Sequence, residues 1–376
     1  MRVTDLRRTG LYERHLAAGA KMADFGGWSM PIEYVGVVAE HTAVRNAVGV
    51  FDVSHMGKVR VHGAGALEAL NGVLTNDLRR IGDGQAQYTL LCRADGGVID
   101  DMIVYRWRAD ELFIVPNAAN TAAVVDVLSE AVAAASAGAV VVDDLSQAHG
   151  IIAVQGPRSA DLLASMGLPV DHAYMSMVAT TFRDAPVIVC RSGYTGELGY
   201  ELVVPSEILV ETWDALIARR AEFGLERAGL GARDTLRTEM GYPLHGQDIG
   251  IRVTPVQAGL GWAVGWDKPE FAGRAALAAE RGRPPRRLRG IVSLDRAIPR
   301  PHMSAWTVGA GEATGALIGE VTSGTFSPTL RQGIGLALLD SAIGIDEEIL
   351  IDVRGRPHRF RVATPPFVVA SPKGDA

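Results

Sequence analysis

The sequence predicts an α+β fold followed by a separate all-β domain at its C-terminus. Before about residue 286, helix and strand patterns alternate irregularly and lack the regular βαβα order of a doubly wound parallel sheet. From about residue 286 onward, the pattern changes to short β-prone segments with Gly and Pro turns between them. A length of 376 residues is too great for one ordinary core, so two or three domains are expected.

The elements of the first part follow from hydrophobic spacing and capping residues. Apolar residues from Val37 to Val48 recur at helical spacing and stop at Gly49, which is typical of a helix C-terminus. The sequence then predicts a strand within 50–61 and helices at 65–74 and 121–138, the second opened by Asn120 and closed by Gly138. Next come a strand at 149–155, which leads to Pro157 at a helix start, and strands at 187–192 and 200–204 around a Gly-rich turn. A helix at 206–224 follows, with Ser206 as its N-cap. The predicted C-terminal strands lie at 288–294, 315–324, 333–339, 347–353 and 358–367.

The segment AQYTLLCRADGGVIDDMIVY, residues 86–105, is typical of a β-hairpin with Asp95-Gly96 as a two-residue turn. That turn would place Ala94 opposite Gly97. Because side chains alternate along a strand, one face would carry Tyr88, Leu90, Asp101, Ile103 and Tyr105, and the other Asp100, Met102 and Val104. A carboxylate among tyrosines and aliphatic side chains costs several kcal/mol to desolvate unless it is bound. Asp101 therefore either bonds to a neighbouring backbone group or tyrosine, lies at an exposed edge, or faces a pocket where a ligand nitrogen is its partner.

Composition excludes several classes of protein. The chain has 37 Lys and Arg against 43 Asp and Glu, a net charge of −6, which gives no general attraction to nucleic acid. The basic run at 281–289 is interpreted as a solvated linker, with a site for an acidic partner as the alternative. Cys92 and Cys190 are the only cysteines, so neither a disulfide framework nor a zinc motif is expected and no metal is predicted. The N-terminus has no apolar signal region and no segment reads as a membrane span, so a cytoplasmic protein is expected.

Several further segments are too unusual for packing alone. They are GGWSMPIEY (26–34), FDVSHMG (51–57), GGVIDDMIVY (96–105), GYTGELGYE (193–201), GLGARDTLRTEMGYPLHGQDI (229–249) and VTSGTFSP (321–328). In this order they resemble the aminomethyltransferase family of the glycine cleavage system, the T-proteins, from about Thr9 to Phe367. RSGYTGELGYE replaces the Lys-Gly-Cys-Tyr-x-Gly-Gln-Glu signature of the iron-sulfur assembly relatives, which disfavours that branch.

The resemblance implies a three-domain folate-binding fold around a central cavity. The implied domains are 1–50 plus 140–270, 51–139 with the Asp-Asp hairpin, and a β-barrel-like domain at 286–370. It further implies transfer of an aminomethyl carbon from the dihydrolipoyl arm of H-protein to tetrahydrofolate, giving 5,10-methylenetetrahydrofolate and ammonia. Partners would be H-protein and, by functional link, the glycine decarboxylase and dihydrolipoamide dehydrogenase components, with no nucleic acid and no membrane.

The resemblance also assigns site residues. Asp101 matches the catalytic aspartate that contacts folate, and the residues that match the folate pocket are Met56, Tyr88, Tyr105, Asn117, Tyr194, Glu201, Arg233 and Tyr242. A carboxylate such as Glu201 can accept hydrogen bonds from the amino and ring N–H groups of a pterin. Each has a structural alternative: Glu201 could form a salt bridge, Arg233 could pair with Asp234 or Glu201, Asn117 could satisfy a loop, and the tyrosines and Met56 could be core residues.

Rival functions have less support. GLGARD and GLGWAVG are glycine-rich, but neither opens a Rossmann βαβ unit, which disfavours a nicotinamide enzyme. Ser54 and His55 are adjacent and point apart on a strand, so they do not make a nucleophile and base pair. A folate-binding scaffold without catalysis uses the same pocket residues and stays open from the sequence.

Overall fold

The computed structural model describes residues 6–136, 139–309 and 314–374. The chain forms two compact units: the first comprises Met1–Thr89, Asp101–Arg233 and Ser371–Ala376, and the second comprises Leu90–Asp100 and Asp234–Ala370. No helix of the described residues is long and apolar enough to cross a membrane. The α+β class with a C-terminal barrel is confirmed.

The helices are short, mostly between one and four turns long. In chain order they are α1 (Tyr12–Ala17), α2 (Val37–Asn46), α3 (Ala66–Asn71), α4 (Thr121–Ser136), α5 (Ser159–Ser165), α6 (Ser206–Ile217), α7 (Arg220–Phe223), α8 (Leu230–Met240) and α9 (Arg274–Glu280). The predicted end of α4 at Gly138 lies outside the described residues.

The strands form a two-stranded ribbon, two larger sheets and a closed barrel. In chain order they are β1 (Lys21–Phe25), β2 (Trp28–Glu33), β3 (Val48–Asp52), β4 (Val59–Gly63), β5 (Ala86–Cys92), β6 (Val98–Arg108), β7 (Glu111–Val115), β8 (Val140–Asp144), β9 (His149–Gln155), β10 (Met177–Phe182), β11 (Ala185–Cys190), β12 (Gly199–Pro205), β13 (Leu225–Arg227), β14 (Arg286–Ser293), β15 (Ser304–Val308), β16 (Thr314–Ser327), β17 (Gln332–Asp340), β18 (Glu348–Val353) and β19 (Arg356–Ala363).

A six-stranded sheet of order β10-β11-β12-β9-β3-β13 belongs to the first unit. Its β3–β13 pair is parallel and the other pairs are antiparallel. Helix α6 places Leu209, Trp213 and Leu216 in one buried cluster with residues of this sheet. Their spacing follows one face of a helix, so the apolar pattern of the sequence determines which side of α6 packs.

A five-stranded sheet of order β5-β6-β7-β4-β8 carries the Asp-Asp segment on β6. Along β6, Asp100, Met102 and Val104 are buried, whereas Asp101 and Ile103 are half-buried. The predicted alternation of the two aspartates is therefore confirmed, and the face of Asp100 is the core face.

The closed barrel of order β14-β17-β16-β15-β18-β19 belongs to the second unit. Alternate residues of its strands point inward and form a separate core that includes Ile291, Val321, Ile351 and Phe360. Strand β14 begins at Arg286, so the basic run predicted as a linker is partly the first strand of the barrel.

The hairpin turn before β6 is one residue longer than predicted. The Arg93 amide donates to Gly97 O at 2.8 Å, and the Gly96 amide donates to Arg93 O at 2.9 Å. Gly96 has a φ of 85°, which only glycine adopts without strain. The turn thus has three residues with glycine in the left-handed position, and the predicted pairing of Ala94 with Gly97 is wrong.

Two helix ends also differ from the prediction. Helix α2 is capped by Ala47, and Gly49 lies inside β3, where a Cβ would come within 2.2 Å of Val44 Cγ2. Gly49 is therefore a close-packing position. Ser206 is the first residue of α6 rather than its N-cap, and its hydroxyl donates to Gln147 O at 2.8 Å. The helix predicted at 206–224 is divided into α6 and α7.

Candidate functional site

Asp101 lies opposite Asn117 across the β6–β7 ladder. The antiparallel register pairs Ile103 with Val115, and its continuation by two residues brings Asn117 beside Asp101. Asn117 Nδ2 donates to the Asp101 carbonyl at 3.0 Å and to Asp101 Oδ1 at 2.9 Å. The amide therefore fixes both the backbone and the carboxylate of Asp101.

Tyr88 supplies the second partner of this carboxylate. Its hydroxyl donates to Asp101 Oδ2 at 2.9 Å, so the two side chains are in contact. The structural alternative of a tyrosine partner is thus realised. A carboxylate oxygen has acceptor capacity for more than one hydrogen bond, so the half-buried Asp101 can also accept from a ligand N–H.

A chain of hydroxyls links the same face of β6 to the six-stranded sheet. Tyr105 lies four residues beyond Asp101 on β6 and is buried. Its hydroxyl is 2.8 Å from Ser192 Oγ, and Ser192 Oγ donates to Glu201 Oε2 at 2.6 Å. Burial first, and then the nearby Cys190 and Glu201, raise the pKa of Tyr105 well above its usual range, so the phenol stays protonated.

Arg233, on α8, stacks on an aromatic ring beside the glutamate. Its Cζ lies 4.8 Å from the centre of the Tyr194 ring. Burial lowers the pKa of Arg233, while Glu201 and Tyr194 oppose that shift. The Arg233 Nη1 atom is buried and has no hydrogen-bond partner within the described part of the chain. A buried guanidinium N–H without an acceptor is costly, and a ligand oxygen at this point would satisfy it.

The loop after β3 carries Met56, which is half-buried. Behind it, the fully buried Lys58 donates through Nζ to the carbonyl oxygens of Ser54 and Met56, each at 2.8 Å. Burial lowers the pKa of Lys58 to about 8, against the opposing effect of Asp52 and Asp144. The lysine therefore holds the backbone of the Met56 loop from the inside.

His55 occupies the same loop and is buried, with its ring edge-on to Phe25 at a centroid distance of 5.5 Å. Burial lowers the pKa of His55 to about 4, helped by Arg233 and Lys58 and opposed by Asp52. The imidazole is consequently neutral at pH 7.

The glycines of GYTGELGYE make room for a buried glutamine. A Cβ at Gly193 would lie 2.0 Å from Gln155 Oε1, and a Cβ at Gly199 would lie 2.3 Å from Gln155 Nε2. Gln155 Nε2 donates to Ser192 O at 3.1 Å and to Tyr200 O at 3.2 Å. The motif thus fixes the backbone that presents Ser192, Tyr194 and Glu201.

The contacts disfavour the rival enzymes. Ser54 Oγ accepts from the Ile151 amide at 3.1 Å and donates to its carbonyl at 3.4 Å, so it serves the backbone. The Gly229 amide donates to Glu40 Oε2 at 2.8 Å, and a Cβ there would meet Ile32 O at 2.2 Å. The first glycine of GLGARD, Gly229, is therefore used for close packing.

Within residues 6–136, 139–309 and 314–374, no group of three or more His, Cys, Asp and Glu side chains is arranged to hold a metal.

The structure gathers most of the predicted site residues in the first unit; these are Met56, Tyr88, Asp101, Tyr105, Asn117, Tyr194, Glu201 and Arg233. Tyr242 lies in the second unit, where its carbonyl accepts from Arg237 Nη1 at 3.2 Å.

The sequence-based prediction of the site missed Ser192, whose one signal was its place at the start of the SGYTGELGYE motif. It also missed Lys58 and Gln155, because nothing local distinguishes a buried polar residue in a strand or loop from an exposed one.

Comparisons with known proteins show the family of this chain. Residues 11–268 match the GCVT N-terminal domain, and residues 286–368 match the glycine cleavage T-protein C-terminal barrel domain. An aminomethyltransferase of Parafrankia sp. (strain EAN1pec) is 58% identical over 372 residues, 98% of this chain and 100% of that protein. An aminomethyltransferase of Mycobacterium tuberculosis (strain ATCC 25618 / H37Rv) is 52% identical over 369 residues, which are 97% of this chain and 98% of that protein.

The crystal structure of glycine cleavage system aminomethyltransferase T from Bartonella henselae superimposes with a TM-score of 0.89 at 32% identity. The match covers 97% of this chain and 99% of that one. The chain therefore belongs to the glycine cleavage T-protein family and is an aminomethyltransferase of the glycine cleavage system.

Proposed function

We propose that this chain transfers the aminomethyl carbon from the dihydrolipoyl arm of H-protein to tetrahydrofolate, with Asp101 at the centre of the site. The carbon–sulfur bond to the arm breaks, and the products are 5,10-methylenetetrahydrofolate, ammonia and H-protein with a free dihydrolipoyl thiol. The observation that carries the proposal is the half-buried Asp101 carboxylate, which is fixed by Tyr88 on one oxygen and by Asn117 on the other. A carboxylate held in this way has a defined direction for accepting from a folate nitrogen.

Asp101 acts mainly by orientation. Holding two reactants in attack geometry contributes on the order of 7 to 11 kcal/mol, whereas one general base gives roughly 10² to 10⁴ in rate. Asp101 orients the folate nitrogens, accepts a proton there and stabilises developing positive charge. It is not a nucleophile.

The pterin end of the site is assigned to Glu201, Arg233 and Tyr194. Glu201 accepts from the amino and ring N–H groups of the pterin. Arg233 Nη1, which has no hydrogen-bond partner among the described residues, supplies a donor to a pterin or folate oxygen. Arg233 is close enough to Glu201 to be affected by its charge, so the two groups form one polar end. Met56, Tyr88, Tyr105 and Asn117 are assigned to the same folate pocket. The assignment of Tyr242 to folate binding stays a prediction from the family resemblance.

The remaining assignments follow from the proposed reaction. The division into domains 1–50 plus 140–270, 51–139 and 286–370 is kept as a proposal, as are docking of H-protein and the functional link to the decarboxylase and dehydrogenase components. No metal is assigned, and the reaction is placed in the cytoplasm.

The test is formation of 5,10-methylenetetrahydrofolate from aminomethylated H-protein and tetrahydrofolate, with and without the purified chain. Product that depends on the chain and is lost in the Asp101→Asn variant supports the proposal. Binding of tetrahydrofolate without product would favour a folate-binding scaffold, and absence of both would reject the folate site.

A further inference from the structure

The Tyr105–Ser192–Glu201 contacts have only one consistent direction of hydrogen bonding. A serine hydroxyl has a single proton, and Ser192 gives it to Glu201 Oε2 across 2.6 Å. The contact of 2.8 Å between Tyr105 and Ser192 must then be a donation from the tyrosine. The protons therefore point from the five-stranded sheet toward the glutamate.

Ser192 is itself rigidly placed. The residue is 4% exposed, and its carbonyl accepts from Gln155 Nε2 at 3.1 Å. The neighbouring Gly193 leaves the space that Gln155 occupies, because a Cβ there would lie 2.0 Å from Gln155 Oε1. Ser192 is therefore a fixed donor, while Glu201 is a half-buried side chain with several rotatable bonds.

We propose that Ser192 is a positioning residue that fixes the Glu201 carboxylate for pterin recognition, through the relay Tyr105 to Ser192 to Glu201. This inference rests on the proposed function, in which Glu201 accepts from the pterin. The hydrogen bond on Oε2 restricts rotation of the carboxylate, which leaves Oε1 and the second lone pair of Oε2 directed at the ligand. A preorganised acceptor binds more tightly because less freedom is lost on binding.

The experiment measures the Kd of tetrahydrofolate by calorimetry under reducing conditions, on the full chain. We expect Ser192→Ala to weaken binding at least about 10-fold, as for loss of a hydrogen bond to a charged group. Ser192→Cys, which is close in volume but a weak donor, should show a similar loss. Ser192→Thr keeps the hydroxyl and should restore most of the affinity.

The matched control is Ser159→Ala. Ser159 is also buried, but its hydroxyl donates to the backbone oxygen of Leu198 at 3.2 Å. The Ser159→Ala variant should bind tetrahydrofolate with an affinity within about 2-fold of the parent, since the Ser159 hydroxyl positions no group that contacts the ligand. Thermal melts of all variants show whether a loss of binding accompanies a loss of folding.

A double-mutant cycle with Glu201→Gln identifies the route of the effect. If Ser192 acts through Glu201, Ser192→Ala should cost about 3-fold or less in the Glu201→Gln background. A full, additive loss in that background would overturn the inference, as would unchanged binding in Ser192→Cys or no rescue in a folded Ser192→Thr. If Glu201→Gln alone leaves the Kd unchanged, the pterin role of Glu201 fails instead, and with it the proposed function of this end of the site.

Discussion

The Asn117 side-chain amide donates to the Asp101 carbonyl at 3.0 Å and to Asp101 Oδ1 at 2.9 Å. Asn117 follows β7 and Asp101 lies within β6, so the ladder register sets the distance between them. An amide is neutral and donates without adding charge, so it orients the carboxylate and leaves its negative charge in place.

Replacing this amide by a carboxylate should move the pH dependence of the reaction. In Asn117→Asp, two carboxylates would face each other, and the like charge raises the pKa of Asp101. If ionised Asp101 is the active form, the acid limb of the kcat/KM profile should move to higher pH, by roughly one unit or more. Tyr88→Phe removes the other donor without adding charge and serves as the control, with a smaller shift. Superimposable profiles for Asn117→Asp and the parent would contradict the role of Asp101.

The two adjacent aspartates should separate chemistry from stability. Asp101→Asn removes the ionised acceptor from the half-buried face and should lower turnover by at least roughly 10² with little change in melting temperature. Asp100→Asn alters a fully buried side chain, so it should lower the melting temperature and reduce turnover less. Steady-state kinetics and thermal melts on both variants decide the matter, and equal losses of turnover would remove the assignment to Asp101.

Arg233 should be required for tetrahydrofolate affinity through its planar guanidinium. Arg233→Lys keeps the charge but loses the fork of donors and the stacking on Tyr194, and should weaken tetrahydrofolate binding by roughly 10-fold or more. A control is Arg14→Lys, since Arg14 lies at the surface in an ion pair with Asp214. Equal affinity of Arg233→Lys and the parent would show that Nη1 does not contact the ligand.

His55 should make the protein less stable in mild acid. The pKa of His55 is about 4 in the fold, against 6.5 for an ordinary histidine, so the unfolded chain takes up the proton first as the pH falls. The contribution of neutral His55 to the free energy of unfolding is therefore fully present above about pH 6.5. It is lost progressively as the pH falls to 4, by about 3 kcal/mol in total.

The measurement for His55 is the free energy of unfolding in denaturant at several pH values. Between pH 6.5 and pH 4, the difference in free energy of unfolding between the parent and His55→Gln should change by about 3 kcal/mol. The control is His62→Gln, because His62 is partly exposed and contacts Asp143 at 2.9 Å. Parallel curves for the parent and His55→Gln would show that burial does not control this histidine.

The sequence by itself determined the α+β class, a separate all-β domain at the C-terminus and the separation of Asp100 from Asp101. Those features depend on local periodicity: alternation along β6 follows from strand geometry whatever the strand pairs with. Local patterns also located many of the strands and helices, but they made the hairpin turn one residue too short and ended α2 at Gly49, whereas Ala47 caps the helix. Both errors concern backbone geometry at a chain reversal, where several turn types suit the same residues.

Only the tertiary structure decided which neighbours each site residue has. Asn117 reaches Asp101 through strand pairing, and Tyr105 reaches Glu201, which lies on another sheet, through Ser192. Arg233 Nη1 is buried without a hydrogen-bond partner among the described residues. Tyr105 and Ser192 are 87 residues apart in the chain, and a hydrogen bond needs its atoms within about 3 Å of each other. Such distances are set by packing of whole sheets and helices, so local residue patterns carry no information about them.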